Sequence, residues 1–356
     1  MSAQAGRRED GSAISGRENY ARAIEFRSPA YLPVHLVLDL DWLQEKDPAK
    51  RERIRALQAL FPDDLLGWLG AWRNATEPVA GADGAKRWTD EWGVGWTSKD
   101  LGGHPISHPL ADGYHRLAEY RFPDPRLPGR FTEDDAKLAQ RGDRYVQSRV
   151  WFTLFERLWL LRGFENMLMD PYEHEADFLR LRDRIIEIDL EMIDLWLARG
   201  VDGIFFSDDW GTQRGLLMRP EDWRRWYLPC YRRLFRRVRD GGAHVWFHSC
   251  GNVLEIVGDL LDAGLQVLNP VQSNALDVRE LARRFGGRLC FFGGVNVQET
   301  LIRGTPEDVR REVREMIALL GERGGGYIGG TSNLAGIPET PLDNIIALYE
   351  AFAERR

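Results

Sequence analysis

Residues 201–252 read VDGIFFSDDWGTQRGLLMRPEDWRRWYLPCYRRLFRRVRDGGAHVWFHSCGN. An apolar run, Asp202–Ser207, ends in a pair of acids. An amphipathic, arginine-rich helix opens at Pro220 and runs to Asp240. After two glycines a second apolar run, Ala243–His248, ends in a cluster of polar residues. Apolar runs of this length bounded by turn signals fit fully buried strands. Strand, helix and strand joined by short loops imply parallel strands and a right-handed crossover.

The same rhythm extends in both directions. A helix over 173–199 precedes the first of these strands. Downstream, helices over 252–263, 277–285 and 305–321 alternate with strands at 266–269, 288–292 and 326–330, and a helix over 341–354 follows. Upstream, Val34–Asp39 and Tyr145–Phe152 read as strands, which brings the count to seven, one short of a closed ring of eight. The expected fold is α/β, a (β/α)8 TIM barrel with an N-terminal helical and β-hairpin elaboration. A doubly wound open sheet is the alternative, but no G-x-G-x-x-G follows the first strand. In the elaboration, residues 41–80 read as helices broken by Pro62, Gly67 and Gly70. Trp88, Trp92 and Trp96 alternate with turn glycines as in a hairpin, and 133–142 is helical. Residues 1–20 are expected to form a disordered leader and 21–356 a single barrel domain.

Composition narrows the function. Of 356 residues, 43% are hydrophobic and 29% charged, an ordinary globular balance. The net charge of −7 argues against a nucleic-acid partner, which calls for a basic excess. No apolar run is long enough to span a membrane, and the polar N-terminus lacks the apolar centre of a signal peptide. Three scattered cysteines make no disulfide framework, so a cytoplasmic, reduced protein is expected. From residue 138 onward there is no lysine. Schiff-base and pyridoxal-phosphate chemistry, which need a lysine amine, are therefore excluded from the regular part of the barrel.

Each strand ends in polar residues: FFSDDWGTQ at 205–213, VWFHSCGN at 245–252, VLNPVQSN at 267–274, FFGGVN at 291–296 and YIGGTSN at 327–333. In a βα barrel these are the C-terminal ends, where active sites are built. His248 and Cys250 are two apart in an extended segment and share a face. Imidazole and thiolate make half of a zinc site, or a core histidine beside an inert cysteine. Asp208 and Asp209 could donate an oxygen ligand, bind substrate, transfer protons or cap the next helix. Cys290 and Cys230 read as buried thiols, and His104, His108, His115, His174 and His244 as surface residues. Gly293–Gly294 and Gly329–Gly330 could admit a phosphate to the backbone or simply serve turns. The Trp88–Trp96 hairpin could line or lid a pocket for a large flat ligand, or pack as core.

From about 190 to 352 the chain resembles the uroporphyrinogen decarboxylase superfamily. The carriers are GVDGIFFSDDWGTQ (200–213), the arginine-rich helix at Pro220, HSCGN (248–252), LNPVQ (268–272), FFGGVN (291–296), GTPEDV (304–309) and IPETPLDNI (337–345). PVHL (33–36) and WTDEWGVGW (88–96) extend it more loosely. The resemblance implies a (β/α)8 barrel and either of two activities. True decarboxylases carry an arginine-rich segment after the first strand that grips tetrapyrrole carboxylates; here LVLDLDWLQEK (36–46) is acidic and has no arginine. The corrinoid-linked methyltransferase branch, which the chain resembles more closely, holds zinc with His-x-Cys and a distant cysteine. His248 and Cys250 match the pair, but Gly330–Asn333 offers no cysteine, which leaves Asp209 or another oxygen ligand to complete the site, or the metal lost.

The reading that follows is a methyltransferase moving a methyl group between a small substrate, a methyl ether or thiol, and a corrinoid on a partner protein. Asp208 and Asp209 are the catalytic candidates, and His248, Cys250 and Asp209 the zinc candidates. His35, Trp92, Gln213, Gln272, Asn296 and Asn333 are the candidates to bind the substrate. The alternatives are a metal-independent decarboxylase or lyase on a small carboxylate, and a non-catalytic tetrapyrrole-binding barrel. The aromatics would also permit a homodimer.

Overall fold

The computed structural model describes residues 14–70, 72–99, 102–332 and 336–355. The chain opens with α1 (Gly16–Ile24), whose first turn is capped by the Ser15 hydroxyl accepting from the Glu18 amide. An extended segment then leads to α2 (Pro48–Gln58), β1 (Leu65–Leu69) and an antiparallel excursion of β2 (Val79–Ala80), β3 (Lys86–Thr89), β4 (Gly95–Ser98) and β5 (His104–Ser107). After α3 (Thr132–Leu138) and β6 (Tyr145–Val150) come α4 (Phe155–Arg162), α5 (Phe164–Glu173) and α6 (Glu175–Leu197). The alternation continues through β7 (Gly203–Ser207), α7 (Pro220–Trp226), α8 (Leu228–Asp240), β8 (His244–His248), α9 (Val257–Ala263), β9 (Val267–Asn269) and α10 (Val278–Phe285). It ends with β10 (Cys290–Val295), α11 (Pro306–Leu320), β11 (Tyr327–Thr331) and α12 (Leu342–Ala353).

Seven strands form one parallel sheet in the order β1-β6-β7-β8-β9-β10-β11. The eighth stave is the segment around Val34, which meets Gly329 of β11 in a parallel bridge: His35 N–H donates to Gly329 O, and Gly329 N–H to Pro33 O. The fold is a TIM-type barrel. Its lumen is filled by one side chain from each strand of the sheet: Leu65, Tyr145, Phe205, Trp246, Val267, Cys290 and Ile328. Tyr20 and Ile24 of α1 close this cluster from below. A larger cluster lies between the sheet and the helices.

Several expectations are corrected. Residues 65–69 are a strand, not a helix, and supply the stave that sequence reading lacked. Ladder pairing in the 34–39 segment is confined to Val34. Helical order begins at Gly16, with Tyr20 1% exposed, so a leader of twenty residues is too long. The helix read over 220–240 is two helices, because Pro229 sits in the first turn of α8 and has no amide hydrogen to continue α7. Residues 153–172 carry two helices that were not anticipated. The tryptophan segment is a hairpin, as expected, with Trp88 paired opposite Trp96.

Candidate metal centre and the mouth of the barrel

Side-chain alternation decides what reaches the mouth. Trp246 is lumenal, so His248 and Cys250 follow it on the inner face. Phe205 is lumenal, so Asp209 follows it inward, whereas Asp208 follows Phe206 toward the helices. The result is a cluster in which ligating atoms of Asp209, His248 and Cys250 all lie within 4.8 Å of one another. His248 Nε2 is 3.4 Å from Cys250 Sγ and 3.6 Å from Asp209 Oδ1. Asp209 Oδ1 also accepts the Cys250 amide at 2.8 Å.

The imidazole is held from behind. Its Nδ1 lies 2.6 Å from Asn269 Oδ1, and the carboxamide oxygen can only accept. Nδ1 therefore carries the hydrogen, and Nε2 presents its lone pair to the cluster, the outer-shell arrangement characteristic of metal-bound histidines. Asn269 is in register with His248 across the β8–β9 pair, so barrel topology itself supplies this partner. Gln272 Oε1 accepts the Gly251 amide at 2.8 Å and fixes the turn that follows Cys250.

The donor set fits a cation. Burial, then the charges of Asp209 and Glu156, push the Cys250 thiol well above its ordinary range. Glu156 lies 7% exposed, accepts the Ser207 hydroxyl at 2.6 Å, and is itself pushed far upward by burial, Asp209 and Asp208. Among the described residues no arginine or lysine forms an ion pair with Asp209 or Glu156. A divalent ion would offset this negative potential and convert the thiol to the thiolate that coordinates. Nitrogen, sulfur and oxygen donors with a remaining open position suit catalytic zinc.

The other candidates are dispersed. Asp208 is fully buried and accepts the amides of Leu154 (3.0 and 3.1 Å) and Glu156 (2.8 Å) and the Tyr231 hydroxyl (2.6 Å). It holds the N-terminal end of α4, an earlier helix and not the next one, and lines neither cavity beside the cluster. Burial pushes its carboxyl up to about 7 in spite of these donors. Asn296 is also a cap, accepting the Glu299 amide at 3.1 Å, and does not line the cavities beside the cluster. Gln213 is exposed on the rim of a cavity of about 530 Å³ that Cys250 and Gln272 also line. His35 packs on Phe292 with ring centroids 6.0 Å apart, and its Nε2 is buried without a partner. Trp92 is 1% exposed and lines a second cavity. Asn333 lies outside the described residues.

The late glycines Gly329 and Gly330 serve close packing. A Cβ on Gly329 would sit 2.7 Å from Phe352, and one on Gly330 would sit 2.9 Å from Phe292. His244 is buried rather than superficial, with Nδ1 2.9 Å from the Tyr145 hydroxyl and Nε2 3.0 Å from Glu25.

Sequence reading missed Asn269, Glu156 and Trp151. The Trp151 ring lies 5.6 Å from that of His248 and borders the cavity that Trp92 lines. Its signal was available in the alternation Tyr145, Gln147, Arg149, Trp151, which carries the inner face of β6 up to the mouth.

Residues 152–355 match the family model for uroporphyrinogen decarboxylase, more than half of the chain. The chain belongs to the uroporphyrinogen decarboxylase family. No curated protein matches it by sequence. Among solved structures it is similar to a methyltransferase from Methanosarcina mazei, at 16% identity over 96% of this chain and 99% of that one, with a TM-score of 0.68. It is also similar to a B12-independent methionine synthase from Shewanella sp. W3-18-1, at 13% identity over 91% and 97%, with a TM-score of 0.49. At 16% identity the first of these likenesses is one of fold. Within the uroporphyrinogen decarboxylase family, the site described above is what speaks to chemistry.

Proposed function

We propose that this chain is a methyltransferase that moves a methyl group between a small substrate, a methyl ether or thiol, and a corrinoid carried by a partner protein. The observation that carries the reading is the convergence of Asp209, His248 and Cys250 at the C-terminal face of the barrel. Asp209 takes the place of the distant cysteine missing from Gly330–Asn333. Zinc bound by these three would supply positive charge to activate a thiol or polarise an ether oxygen.

The chain's own residues do the remainder. Asn269 orients His248, and the Cys250 amide orients Asp209. Trp151 and Phe205 screen the imidazole on the barrel side. Glu156, whose carboxyl burial and the neighbouring acids push upward, is the acid assigned to return a proton to a departing oxygen. The similarity to a methyltransferase of the same fold agrees with the reading but does not carry it.

The test is to mix zinc-loaded protein with a cobalt(I) corrinoid and a panel of methyl ethers, and in the reverse direction with a methylated corrinoid and thiols, following the corrinoid spectrum. Methyl transfer that Cys250→Ala lowers by about a hundredfold or more is the expected result, a loss typical of a group acting in the transition state. Tight corrinoid binding without turnover would instead favour the non-catalytic barrel. Carbon dioxide release from a small carboxylate without metal would favour the decarboxylase.

A further inference from the structure

On the far side of Trp151 from His248 lies a cavity of about 270 Å³ between the antiparallel excursion and the ends of β1 and β6. Its walls are aromatic: Trp72, Trp88, Trp92, Trp96, Trp151 and Phe152. Trp88 and Trp96 stack 6.3 Å apart with planes 9° from parallel, and Trp96 stacks on Phe152 at 5.6 Å. Gly103 is placed so that a Cβ would come within 3.1 Å of Trp88 and 3.2 Å of Trp96; glycine there keeps the rings' surroundings clear.

The polar groups in this aromatic slot are chiefly cationic. Arg157 is 2% exposed, stacks 4.3 Å over Trp92, and has an Nη1 with no hydrogen-bond partner; the nearest carboxylate oxygen, on Asp90, is 3.8 Å away. Asp90 is already engaged by the amides of Trp92 and Val94 and by Trp96 Nε1. Arg149 lies against the rings of Trp68 and Trp151, and forms no ion pair among the described residues. A Cβ on residue 70 would fall 2.6 Å from Arg149 Nε, so Gly70 is what gives that guanidinium its place. Burial works against the charge of both arginines. Trp68 and Phe152, beside them, hold φ of 62° and 54°, and such strain in non-glycine residues gathers at ligand sites. Arg157 has Asp90 at 3.8 Å and feels the charges of Asp189 and Glu156, and Arg149 feels that of Asp134, but none of these closes a hydrogen bond on Arg157 Nη1; a planar carboxylate is the anion that a guanidinium fork fits.

We propose that this cavity recognises a monocyclic aromatic carboxylate. The rings sandwich or edge the ligand's ring, and Arg149 and Arg157 receive its carboxylate. The volume lies just under the usual range for small-molecule sites and excludes a tetrapyrrole.

The test is calorimetric titration of the full chain with 4-methoxybenzoate, benzoate and the neutral 4-methoxybenzamide, with and without zinc. Saturable binding of both acids, with the amide at least about tenfold weaker, is expected. Arg149→Gln should erase that preference, by roughly tenfold in the acids' affinity, while its circular dichroism and zinc content match the wild type. Equal binding of acid and amide, or no saturable binding of either acid at millimolar concentration, overturns the proposal. So does a preference for the acids that survives in both Arg149→Gln and Arg157→Gln. Binding of the acids in zinc-free protein supports it whatever the methyl-transfer assay gives, so the two readings fail separately.

Discussion

Asp208 and Asp209 are adjacent carboxylates with opposite fates. One is sealed among the α4 amides and Tyr231; the other faces His248 and Cys250. What separates them is the two-residue period of the strand that precedes them. That period was legible in FFSDD once Phe205 was known to be lumenal, but not before, because every residue of β7 is buried and gives no alternating polarity. His35 makes a sharper case at the same scale. Burial depresses its imidazole to about 4 from an ordinary value near 6.5. The fold therefore prefers the neutral ring, and its stabilisation is complete above the unfolded value and lost as pH falls toward the folded one. Between pH 7.5 and 5 this amounts to about 2 kcal/mol. Denaturant unfolding at the two pH values should show wild type losing that much more stability than His35→Gln; equal losses would contradict the assignment.

At the level of elements, the strands from β7 onward could be read because each is a short apolar run set between amphipathic helices and turns. β1 could not, since LLGWL is only five residues long and its Gly67, with Gly70 just beyond, reads as a break in a helix. The Val34 stave was recognised as extended, yet its closure onto β11 depends on glycines that sequence reading assigned to turns or phosphates. Gly329 sits between Val34 and Phe352 of α12, with room for hydrogen alone. Gly329→Ala should push α12 away from β11 and cost about 1–3 kcal/mol, the range for overpacked cores, read from the urea midpoint at unchanged slope. An unaltered midpoint would mean that the seam is looser than the contacts imply. The four-stranded excursion was read only as a tryptophan hairpin. Its use as one wall of a cavity depends on Arg149 of β6, Trp151 just beyond it and Arg157 of α4, which are distant in sequence.

The whole molecule is a barrel whose lumen is closed below by α1 and open above onto the Asp209–His248–Cys250 cluster, with one cavity beside Trp151 and another beside Cys250. Family membership and fold were carried by motifs at strand ends, and two of the three clustered ligands by the His-x-Cys spacing alone. The third was visible only as one of two neighbouring acids. Asn269, which fixes the imidazole, needed the register of β8 with β9. The account rests on that cluster being a metal site. The most direct measurement is the zinc content of untagged protein after equilibration with the metal, for wild type, Cys250→Ala and Asp209→Ala. Close to one zinc per chain in the wild type, lost from Cys250→Ala and sharply reduced in Asp209→Ala, is the predicted result. Wild type without zinc under the same conditions, or all three proteins holding it equally, would contradict it.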